Sequence, residues 1–125
     1  MTDQPTPDPT DLYRIAPPLL EEAADLLTVS SRILTETLAG EPVDEAYERD
    51  YYLRRAVQAD RVALTLPGGR RNRDHAAQSA RLLAHFDREH AHLAPADVPV
   101  PDPDTAPDET LRAYTRACYT AAPWT

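Results

Sequence analysis

Apolar residues recur at three- and four-residue spacing along most of this 125-residue chain, and no stretch alternates apolar and polar with a period of two. That pattern predicts helices and no strands. Leu19, Ala23, Leu26, Leu27, Ile33, Leu34 and Leu38 mark a first helix over 18–39. Pro18 suits its first turn, Glu21 and Glu22 oppose its positive end, and Gly40 terminates it. A second helix is expected over 42–66, with Pro42 at its start, Asp44 and Glu45 in its first turn, and Pro67-Gly68-Gly69 ending it. The third runs over 72–94, from the N-cap Asn72 to the residue before Pro95. A shorter fourth covers 106–122, where Thr105-x-x-Asp108 reads as a variant capping box and Pro123 closes the end. A turn over 11–15 would pack Leu12 and Ile15 as a lid.

Proline punctuates the remainder. Residues 1–10 hold Pro5, Pro7 and Pro9 and no large apolar side chain, as expected for a flexible tail. Residues 94–107 form an extended, Pro-rich acidic connector. Short links at 40–41 and 67–71 predict three long helices in an antiparallel bundle, with the shorter C-terminal helix returning after the connector. Residues 11–125 then make one all-α domain.

Composition thins this picture. Leu, Val, Ile and Phe together number 23 of 125 residues, against 20 Ala. A core this light favours a homodimer, or a protein partner, that adds burial. The net charge of −8 argues against nucleic acid and anionic membranes as partners. All 13 basic residues are Arg, which with the high Ala and Pro fits a GC-rich genome such as an actinobacterial one. The single Cys118 has no internal disulfide partner and is expected to act as an inert small hydrophobe. The opening residues carry no leader pattern and no run approaches a membrane span, so a cytoplasmic location is expected.

Charged residues that interrupt apolar stripes are the candidate sites. On the second helix Asp50, Arg54 and Arg61 fall within the stripe Val43, Ala46, Tyr47, Leu53, Val57 and Leu64. They make either an edge ion pair with Arg stems along the core, or a polar pocket for an anionic ligand or a partner carboxylate. A weaker second face, with Tyr52, Ala56, Ala59 and Ala63, suggests a helix sandwiched between neighbours. The third helix presents Ser79, Leu82, Leu83, Phe86 and Leu93 as core, with His75 and His90 sharing that stripe as structural histidines. His85, Glu89 and His92 lie on its opposite face at a spacing that can hold a divalent metal, although a solvated face is the simpler reading. The third helix is basic, while residues 94–110 carry five acids and no base. That asymmetry either ties the connector to the helix or offers Arg73, Arg81 and Arg88 to a partner.

The run Arg70-Arg71-Asn72-Arg73-Asp74-His75 resembles, over these six residues, the short Arg/His signature of HEPN-type helical ribonucleases. The resemblance implies that Arg70 would stabilise phosphate charge and His75 would move protons, with two such pairs meeting across a dimer. With 13 Arg and 4 His in the chain, about one such match arises by chance. The expected function is therefore a non-catalytic protein-interaction or regulatory module, with no cofactor. A ribonuclease using Arg70 and His75, or a bundle that binds a small ligand or metal, are the alternatives.

Overall fold

The computed structural model describes residues 8–66 and 68–121. Most of the expected tail, Pro67, and the end of the fourth helix at Ala122 and Pro123 lie outside the described residues. The described chain is all-helical: α1 (Pro9–Leu12), α2 (Leu19–Leu38), α3 (Glu45–Thr65), α4 (Arg70–Glu89), a 3₁₀ turn (Ala91–Leu93) and α5 (Asp108–Ala121).

Local chemistry sets where each helix starts and stops. Asp8 accepts a hydrogen bond from the Thr10 amide at 2.8 Å and Pro9 occupies the first turn, so residues 8–10 nucleate α1. Helix α3 starts at Glu45 because the Asp44 carboxylate caps it, accepting from the Ala46 amide at 2.9 Å; Pro42 stands outside. Helix α4 starts two residues before the expected Asn72, and it stops at Glu89, where His90 leaves helical backbone. Upstream of α5, the Ala106 amide bonds to the Asp102 carbonyl at 2.9 Å, so Thr105 belongs to a turn and does not cap the helix. Gly40 takes φ 73°, the left-handed value that ends α2.

Pairs of contacting residues give the helix directions. Arg49 meets Asp87, and Ala59 and Ala63 cluster with Ala76, so α3 and α4 run oppositely. Asp60 meets Arg112 while Arg49 meets Cys118, so α5 is antiparallel to α3. Against α4 the pairs are Arg81–Asp108 and Asp87–Tyr114, which makes α4 and α5 parallel. Parallel neighbours need a connection that travels back the length of a helix. Fully extended, a segment of this length would span roughly 40 Å, against roughly 30 Å for α4, which leaves slack for the turns the connector makes at 95–98 and 102–106.

The core lies among α3, α4 and α5. Leu53, Val57, Leu83, Leu111, Tyr114, Cys118 and Tyr119 are buried there with Ala56, Ala80 and Ala84. The alanines let α3 and α4 approach closely. Tyr13 closes the core from the α1 side with Leu12 packed against it, as expected of Leu12, whereas Ile15 is exposed and takes no part in the lid. Helix α2 lies on the flank and buries only Glu22, Leu26 and Val29.

Candidate functional site

Two carboxylates sit at the centre of the bundle. Asp87, on α4, is fully buried and receives a bidentate Arg49 guanidinium at 2.8 and 3.0 Å, together with the Tyr114 hydroxyl. Asp60, on α3, is 1% exposed and binds Arg112 at 2.8 Å, Arg116 at 2.8 and 3.0 Å, and the Tyr13 hydroxyl at 2.8 Å. Arginine matches a carboxylate with two parallel N–H donors, which is why these charges tolerate burial. Burial and the adjacent carboxylates push the Tyr13 and Tyr114 hydroxyls far above the ordinary phenol range. Burial also raises the Cys118 thiol, whose sulfur lies 3.7 Å from the Arg49 guanidinium. These groups satisfy one another and are largely withdrawn from solvent, with Arg116 the most exposed of them.

The sequence reading missed this network because it set the phase of α3 wrongly. The buried side of α3 carries Arg49, Leu53, Ala56, Val57, Ala59, Asp60 and Ala63. That is turned by about 100°, one residue's worth, from the stripe through Asp50, Arg54 and Arg61. Those three charges lie at the half-buried edge, the first of the two arrangements expected of them. Arg54 pairs with Asp50 at 3.1 Å and approaches Glu22 of α2 at 3.9 Å. Arg61 lines a small cleft with Thr10 and Tyr13.

The basic face of α4 is spent on the connector. The Arg81 guanidinium donates to the Pro103 carbonyl at 2.8 Å and lies 3.6 Å from Asp108. Arg88 reaches Asp102 at 3.2 Å and His85 reaches Asp104 at 3.4 Å. Positions 81, 85 and 88 therefore form one helical stripe that pins the acidic segment. Arg73 shares a shallow polar pocket with Arg70, Asp108, Glu109 and Arg112. The Asp104 amide and Arg88 hold the Asp102 carboxyl below its usual range.

The remaining candidates separate. Arg70 is exposed beside Asp74, at 3.7 Å, on the α5 side. His75 is exposed, not on the core stripe, and faces a groove against α2 and α3. One chain therefore does not bring Arg70 and His75 together. His92 turns to Glu45 at 3.6 Å, away from His85, and Glu89 is exposed. Among the described residues no three His, Cys, Asp or Glu side chains are placed to hold a metal. His90 is half-buried, stacked on Phe86 with ring centroids 4.1 Å apart.

What stays open is α2. Leu27, Leu34 and Leu38 were expected to pack inward, yet they are 71, 58 and 78% exposed, and Leu20 beside them is 87% exposed. The inward side is taken by Leu26 and Val29, because α2 has one main neighbour, α3, and one stripe suffices for it. Beside the exposed leucines runs an open groove of about 460 Å³, lined by Ala23, Leu26 and Leu27 of α2, by Tyr51 and Val62 of α3, and by His75. No helix of the described residues is long and apolar enough to cross a membrane, so the face is not explained by a bilayer span. No family model, curated protein or solved structure matches the chain.

Proposed function

We propose that this protein is a non-catalytic helical interaction module that binds another protein chain through the outer face of α2. The observation that supports it is the row of four exposed leucines, Leu20, Leu27, Leu34 and Leu38. Monomeric proteins seldom leave a contiguous apolar patch of more than a few hundred Å² in water. An acidic chain with a long apolar helix face suits protein recognition by helix packing, in which leucines spaced at three and four residues enter a groove. Arg81 and Arg88 of α4 are not the binding surface in this reading, since they hold the connector. A single buried thiol suits a reducing compartment, and the cytoplasm is the location assigned.

The test is recovery of the tagged full-length protein from its native host, with quantitation of what copurifies. A stoichiometric protein, a second copy included, should be retained by Arg81→Gln/Arg88→Gln and lost by Leu27→Glu/Leu34→Glu. Retention by the leucine variant, or a bare monomer from every preparation, would overturn the reading.

A further inference from the structure

Self-complementarity is visible in the exposed face of α2. Leu27 stands near the middle of the helix Leu19–Leu38. Counting outward from it, Ala24 and Ser30 flank it at three residues, Ala23 and Ser31 at four, and Leu20 and Leu34 at seven. Between Leu20 and Leu34 each of these positions thus has a counterpart of like size at the same distance on the other side of Leu27, while Leu38 lies beyond that span. An antiparallel pair of α2 helices related by a two-fold axis brings those counterparts together. Leu27 then meets Leu27, Leu20 meets Leu34, and the small residues meet one another so that the backbones come close.

Resting on the interaction-module reading, we infer that the partner of this face is a second copy of the chain, docked through antiparallel α2 helices with Leu27 at the axis. Isologous contact demands such symmetry of a surface, whereas binding an unrelated protein does not. The seven-residue recurrence of Leu20, Leu27 and Leu34 is also the spacing of a helix-pairing seam. The area is adequate. A helix of 20 residues is about 30 Å long and 10–12 Å across, so half its circumference offers about 500 Å² per copy. Complete coverage of that outer half on both copies would bury about 1,000 Å², the lower bound for a specific interface, and the exposed Ile15 at the N-terminal approach to α2 adds to it.

Sedimentation equilibrium of the full chain tests this. The wild type should be a dimer at micromolar concentration, and Leu27→Glu should weaken association at least 100-fold with its helical content unchanged. Leu34→Glu serves as a second variant should Leu27→Glu misfold. Register is read by oxidation: Leu27→Cys should cross-link to itself, and Leu20→Cys should cross-link to Leu34→Cys but not to itself. Native Cys118 is buried and stays out of that chemistry. A monomeric wild type, a dimer indifferent to Leu27→Glu and Leu34→Glu, or Leu20→Cys cross-linking to itself would overturn the proposal. A monomer that still holds a different protein through α2 would remove the second copy and leave the interaction-module reading standing.

Discussion

Helices α3, α4 and α5 and helix α2 solve the same problem, a shortage of large apolar residues, in opposite ways. The three-helix body uses alanines to bring helices close and fills its centre with two carboxylates, three arginines and two tyrosines that satisfy one another. Helix α2 has more leucines per turn than either α3 or α4, yet it buries one of them. Leucine content therefore does not locate the core of this protein. Closeness of approach and polar pairing do.

The strongest way to break that contrast is to remove a central carboxylate. Asp87→Ala leaves Arg49 buried without its anion and should destabilise the fold by about 3–5 kcal/mol in urea unfolding. A change under about 1 kcal/mol would mean that the network is ornamental. Next come paired leucine truncations. Leu83→Ala, at a fully buried site, should cost about 2–5 kcal/mol, whereas Leu27→Ala in dilute protein should stay within about 0.5 kcal/mol. Equal effects would erase the distinction between body and flank.

Smaller still is the connector clamp. Arg88→Gln removes an exposed pair and should cost under about 1 kcal/mol, less as salt is raised, while increasing proteolysis within residues 94–107. The smallest effect is read by pH. Desolvation raises the Glu22 carboxyl above 4.5, only partly opposed by Arg54, so its contribution to stability is full in acid and lost as pH rises through the folded value. Glu22→Gln should flatten the decline in stability as pH rises above 4.5. Asp102 has the opposite sign. Its carboxyl is held below 3.8, so the clamp on the connector loosens only as pH falls below that range.

Helical class, the four long segments and the connector were legible in the sequence, because apolar periodicity and proline both act locally. The rotational phase of α3 was not. Leu53 and Val57 fit either phase, and acidic residues are so seldom buried that nothing in the pattern singled out Asp60 as a core residue. Its partners Arg112 and Arg116 lie more than fifty residues away in α5, beyond any local pattern. The basic stripe was legible as an asymmetry, and one of its two readings, a tie to the connector, is what the ion pairs of Arg81, His85 and Arg88 display. The leucines of α2 misled because amphipathic spacing marks a face that will be buried without saying by what.

Amide hydrogen exchange of the full chain at low and high protein concentration tests the division most directly. Protection in α2 should rise with concentration and lose that dependence in Leu27→Glu, while the slow amides of α3, α4 and α5 stay unchanged. Concentration-independent exchange in α2, or a response confined to α4 and α5, would contradict the account.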